Sequence, residues 1–171
     1  MKVGTLRKFA LCCGMIAAGM ACAPARAATR AAPVEAVTIS PLSLVKTDDL
    51  DFGTLISGPT AGTATINANT GARTTTGGVT AGPGGTPKRA EFVGVASFGL
   101  LLTVAISPSP TLTNGTGGTM TTALTVQGGT GIRLFPGTRV QTFRVGGTLN
   151  VGANQQPGTY AGNFTLTVNY F

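Results

Sequence analysis

The chain has 171 residues, 26 of them glycine, with 10% charged residues, no histidine or tryptophan, and a net charge of +7. That length holds one ordinary domain behind a leader. With histidine absent and all three cysteines within the first 22 residues, the remainder lacks the usual general base, thiol nucleophile and imidazole or thiolate metal ligands.

Lys2, Arg7 and Lys8 open the chain with positive charge, Phe9 to Ala23 is apolar, and Ala25-Arg26-Ala27 places small residues before Ala28. This pattern reads as a secretory signal peptide over residues 1–27. The apolar run, about 15 residues, is short for a membrane span, and no second one follows, so no transmembrane segment is expected in the exported chain. Cleavage after Ala27 removes four of the twelve basic residues and none of the five acidic ones, lowering the net charge from +7 to +3. The remaining Lys and Arg are scattered without interleaved aromatics, which argues against nucleic acid as a partner. Cys12, Cys13 and Cys22 leave with the leader, so no disulfide is expected. Lipidation at Cys22 would need a different cut, and Gly19 stands where such signals usually carry Leu.

After the leader, alternating apolar runs separated by Gly and Pro clusters predict an all-β, immunoglobulin-like sandwich of seven to nine short antiparallel strands. Residues 28–40 form an N-terminal extension or first strand, and residues 41–171 form the sandwich. Val37 and Ile39 share one parity and Leu42 and Leu44 the other, with Pro41 as a bend or change of partner. Leu50 to Ile56 is a strand with Leu50 and Phe52 inward and Gly53 at a bulge. Ala61 to Asn67 is another, and Asn69 to Gly85 is a long Gly-rich loop containing a Thr-rich edge strand. Ala90 to Phe98 places Phe92, Gly94, Ala96 and Phe98 opposite Val93 and Val95, as in a strand covered on both faces. Leu102, Val104 and Ile106 align, and the run closes at Pro108 and Pro110. Met120, Thr122, Leu124 and Val126 share a face, and Ile132 to Phe135 stops at Pro136. Phe143, Val145, Leu149 and Val151 line one side of Gln141 to Val151, which is expected to form a hairpin with the final strand. In that last strand Phe164, Leu166, Val168 and Tyr170 alternate with Thr165, Thr167 and Asn169.

Chemistry-bearing groups are few. The acidic residues are Glu35, Asp48, Asp49, Asp51 and Glu91. The Asp48-Asp49-Asp51 cluster lacks the Asp-x-Asp-x-Asp-Gly spacing of a calcium loop and reads as a solvated turn. The Gly-rich segments precede no Lys-Ser or Lys-Thr pair. These features argue against an enzyme and suggest no catalytic residues, metal site or cofactor.

The final strand resembles the C-terminal strand of chaperone-usher fimbrial subunits. Gly158 is the fourteenth residue from the end, Tyr170 is the penultimate aromatic, and Phe164, Leu166 and Val168 alternate between them. More broadly, LDFGTL, GTATI, GARTTTGGV, FRVGGTLNV and GTYAGNFTLTVNY resemble a family of secreted bacterial β-sandwich proteins of uncharacterised function, thought to be pilin-like. The resemblance implies a structural subunit assembled by β-strand exchange, with a periplasmic chaperone and outer-membrane usher as partners and a homo-polymer as product. It places the protein in the periplasm, at the cell surface or in a fimbrium. The donor segment would carry Val34 and Ala36, or Val37 and Ile39, as plugs. Many such subunits have a disulfide that is absent here. The alternative is a self-contained adhesin-like module, with a carbohydrate ligand held by the loops at 69–85 and 107–118.

Overall fold

The computed structural model describes residues 42–170 except Phe98 and Pro108. The expected leader, its cysteines and the segment containing Val34, Ala36, Val37 and Ile39 lie outside them. Ten strands appear among the described residues: β1 Ser43–Asp48, β2 Leu55–Ile66, β3 Arg73–Ala81, β4 Ala90–Val95, β5 Leu101–Ile106, β6 Thr111–Thr113, β7 Thr119–Val126, β8 Gly131–Leu134, β9 Val140–Val151 and β10 Leu166–Tyr170. All pairings are antiparallel, and no helix occurs among the described residues.

The larger sheet is built on β9. Val145 partners Ala90 and Val126, while Gly147 partners Ile66 and Leu124. A strand has two edges, so β7 occupies one and β4 and β2 share the other in tandem. The handover between β4 and β2 falls at Gly146, where a β-carbon would collide with the Ile66 carbonyl. β1 extends the sheet beyond β4, β3 beyond β2, and β6 beyond β7. The smaller sheet has the order β10-β5-β8.

Inward-facing residues follow the alternation. Phe143, Val145, Leu149 and Val151 of β9 are buried, as are Leu102 and Val104 of β5. One core cluster joins Ala90, Phe143, Val145 and Val126 of the large sheet to Leu102, Val104 and Leu166 of the small one, with Phe135 fully buried between. The second cluster contains Phe52, Ala64, Ile66, Val79, Leu149 and Val151, and no residue of the small sheet joins it. Strand length explains the difference. The twelve residues of β9 reach about 40 Å at ~3.3 Å per residue, whereas six-residue β5 reaches about 20 Å. The small sheet therefore covers only part of the large one.

Several sequence expectations are corrected. β9 and β10 are not a hairpin: both edges of β9 are already occupied, and β10 pairs with β5. Leu50 to Ile56 is not one strand. Asp51 makes an isolated bridge to Lys88, Gly53 turns the chain at φ +67°, and β2 runs from Leu55 through the second expected strand. The Thr-rich edge strand expected within 69–85 is present as β3, longer than the Thr run and at the end of the sheet, held to β2 by pairs including Thr63 and Thr76, whose hydroxyls lie 2.7 Å apart. β4 is covered on one face only, since Val95 is 47% exposed.

An ionic cluster fastens β4 to β9. Arg89 Nε donates to Glu91 Oε1 at 2.9 Å and Arg144 Nε donates to the same oxygen at 3.0 Å. These bonds, Arg89's first, hold the Glu91 carboxyl below its ordinary value of 4.5. A carboxyl lowered in the folded state contributes stability above its unfolded pKa, and that contribution disappears as pH falls through the folded value. Glu91→Gln is therefore expected to cost roughly 1–2 kcal/mol at neutral pH. Thermal melts of both proteins from pH 7 down to 3 should converge at the acid end.

Candidate functional site

Immediately before β10, the Thr165 carbonyl accepts from Ser107 N–H. The antiparallel register continues Thr167 to Ala105 and Asn169 to Thr103. Since backbone groups alternate sides, Thr165, Thr167 and Asn169 face β5, while the N–H and C=O of Leu166, Val168 and Tyr170 point to the opposite edge. No strand pairs with that edge among the described residues. The residues with outward backbone groups carry the strand's inward side chains. Leu166 is buried, Val168 half-buried and Tyr170 45% exposed at the far end.

An open trough begins at Asn163 and Phe164, the residues that lead into β10. Phe164 and Asn163 line its first basin, about 390 Å³, together with Lys46, Asp49 and Leu50 beyond β1, and Phe92 and Leu124 of the large sheet. Phe164 meets Phe92 edge-on, with ring centroids 6.0 Å apart and planes at 75°. A second basin of about 750 Å³ contacts the same Leu50, Phe52, Leu112 and Tyr160 and continues over Met120, Leu149 and Val151. Its apolar lining belongs to the core cluster that the small sheet does not reach. β1 pairs only with β4 among the described residues, so its other edge is also unpaired.

Tyr160 holds the rim. Its hydroxyl donates to the Gln156 carbonyl at 2.7 Å and accepts from Gln155 Nε2 at 2.7 Å and Asn114 Nδ2 at 3.4 Å. A tyrosine ahead of a strand, bonded to backbone four residues upstream, is the corner arrangement of immunoglobulin-like sandwiches. Gly158 follows the same rim at φ +151°, where a β-carbon would press on Asn114. Sequence reading passed over Tyr160; its position six residues before β10 was the available signal. Tyr160→Phe is expected to lower stability by about 1 kcal/mol, read as a shifted denaturant midpoint with an unchanged slope.

Charges sit at one mouth of the trough. Lys46 Nζ donates to Asp49 Oδ1 and lowers that carboxyl's pKa, while Lys88 Nζ donates to Asp48 Oδ1 at 2.9 Å and is raised in turn. Asp51 Oδ1 accepts from Gly53 N–H at 2.7 Å. The three aspartates thus turn to separate partners, and no group of three or more His, Cys, Asp or Glu converges among the described residues. No helix there is long and apolar enough to cross a membrane.

The structure brings Phe164 and Leu166 together with Leu44, Leu50 and Phe92 around one core cluster, and Val168 packs against the same cluster. No curated protein and no solved structure matches the chain. The model of the Domain of unknown function (DUF4402) matches residues 42–170, from the start of the described sandwich to the end of β10, and the chain belongs to that family.

Proposed function

We propose that this is a non-enzymatic exported structural protein, a fimbrial or pilin-like surface subunit assembled by β-strand exchange. The observation that carries the reading is the unpaired edge of β10, with the core trough beginning at the residues that lead into it. An extended segment laid there would pair with the outward N–H and C=O groups of Leu166, Val168 and Tyr170 and send alternate side chains over Phe92, Leu124 and Phe164. The donor is residues 28–40 of another copy, with Val34 and Ala36 or Val37 and Ile39 as plugs. A periplasmic chaperone would occupy the same edge before the donor, and an outer-membrane usher would order the exchange. The signal peptide at residues 1–27 supports export to the periplasm and onward to the surface. Head-to-tail contact of this kind does not close and therefore builds a fibre.

Paired cysteines test the donor's origin. Val168→Cys combined with Val37→Cys or Ile39→Cys, expressed with its leader in the native host, is expected to give a ladder of disulfide-linked oligomers. Cross-links confined to single chains would show a self-complete monomer. A second reading, a binding module, draws on the 750 Å³ basin, whose rim carries Ser57, Gln155, Gln156 and Thr159 over an apolar floor. A neutral ligand such as a carbohydrate would bind in that groove, since much of the region from 69 to 85 is strand.

A further inference from the structure

The turn from β6 to β7 passes through Asn114-Gly115, and of the seven asparagines in the chain only this one is followed by glycine. Asn114 Oδ1 accepts from Thr116 N–H at 3.0 Å and from Gly118 N–H at 2.8 Å. The first bond closes a ring that contains both Asn114 Cγ and the peptide nitrogen of Gly115, which holds the two on one side of the turn. Gly115 is exposed at φ +74°, and a β-carbon built on it would meet nothing within 4 Å. Its N–H has no hydrogen-bond partner among the described residues. Asn114 Nδ2 makes only long contacts, 3.4 Å to the Tyr160 hydroxyl and 3.5 Å to the Pro157 carbonyl.

These are the parts of an intramolecular acyl transfer. The Gly115 nitrogen is the nucleophile, Asn114 Cγ the acyl carbon and Nδ2 the leaving group. Negative charge develops on Oδ1 as the nitrogen attacks, and two backbone N–H groups already point at that atom. Donors fixed in advance at a developing oxyanion lower the barrier to its formation. Glycine leaves the nucleophile unshielded because it has no β-carbon, whereas Asn154 and Asn163 are followed by Gln155 and Phe164.

We infer that Asn114 is a self-modifying site, at which the folded chain converts its own asparagine to aspartate or isoaspartate. The Gly115 nitrogen gives up its proton and bonds to Asn114 Cγ, the Cγ–Nδ2 bond breaks, and Nδ2 leaves as ammonia with that proton. Water then opens the cyclic imide at either carbonyl. Attack at Cγ gives aspartate, and attack at the main-chain carbon gives isoaspartate, with the chain continuing through Cγ. Water enters and ammonia leaves, so no oxidant or cofactor is required. The change acts on the trough rim. A carboxylate oxygen replaces Nδ2, so two acceptors face each other at the Pro157 carbonyl. Tyr160 keeps a bond to the new carboxylate only by withdrawing its proton from the Gln156 carbonyl. The isoaspartyl form adds a carbon to a turn closed by Asn114 N–H donating to the Gly118 carbonyl at 3.2 Å. Both products loosen the corner held by Tyr160.

The test uses residues 28–171, which contain the compact unit Thr38–Phe171 whole. Its unfolded reference is a peptide of residues 110–120 in the same mildly alkaline buffer. Trypsin releases residues 90–133 with Asn114 as the sole asparagine, so tandem mass spectrometry reads aspartate and isoaspartate at this position directly. The folded chain is expected to react roughly tenfold faster than the peptide, because only folding fixes both donors on Oδ1. Asn114→Asp, which makes one product outright, is expected to lower the melting temperature by about 3 °C. A folded chain that reacts no faster than the peptide would overturn the site. An Asn114→Asp protein that melts like its parent would overturn the link to the rim.

Discussion

Replacing Phe143 with Ala is expected to destabilise the domain by about 3–5 kcal/mol, a large share of the ~5–15 kcal/mol that holds a typical domain folded. Phe143 lies on β9, 1% exposed, opposite Phe92 of β4. Its ring fills space left by Gly94, where a β-carbon would fall 2.9 Å from Cε2. Gly94 has no side chain with which to fill the vacated volume, so a cavity term adds to the lost burial. Gly94→Val should also be harmful, through overpacking against the same ring. Urea titrations followed by circular dichroism measure both effects. A loss below 1 kcal/mol for Phe143→Ala would mean that the joint between the two sheets is not where the core is concentrated.

The second large effect separates the two edges of β10. Thr167 directs its N–H towards Ala105 of β5, so Thr167→Pro removes a ladder bond and is expected to cost about 3 kcal/mol or more. Val168 directs its N–H to the unpaired edge, where proline is tolerated in strands. Val168→Pro is expected to cost less, chiefly the packing of a half-buried side chain, while abolishing capture of an incoming strand. Melting temperature and binding of a peptide of residues 28–41 separate the outcomes. Equal destabilisation by the two prolines would contradict the assignment of the edge.

Much of the fold was legible because strand side chains alternate. The buried faces of β5, β7 and β9 could be read from Leu102 and Val104, from Thr122 and Val126, and from Phe143 to Val151. Alternation identifies a face but not a neighbour. It could not show that β9 spends one edge on β7 and the other on β4 and β2, and so the adjacent runs β9 and β10 looked like a hairpin. Gly53 was recognisable as an interruption, but its φ of +67° and the bridge from Asp51 to Lys88 depend on tertiary contacts. For the site, Phe164, Leu166 and Val168 were legible from spacing. The trough was not, because it arises from the difference in length between β9 and the short strands of the smaller sheet. Leu112 and Met120 line it from strands far from β10 in sequence.

The central claim is that β10, with the trough at its start, accepts an extended segment. The most direct measurement is the thermal melting of residues 42–171, alone and with a peptide of residues 28–41, against residues 28–171. The account predicts a low melting point for the shorter protein alone and a saturable rise with peptide. At a peptide concentration one hundred times its Kd the gain should be about 2.7 kcal/mol, or roughly 10 °C for a domain of this size. A shorter protein that melts like the longer one and is indifferent to the peptide would contradict it.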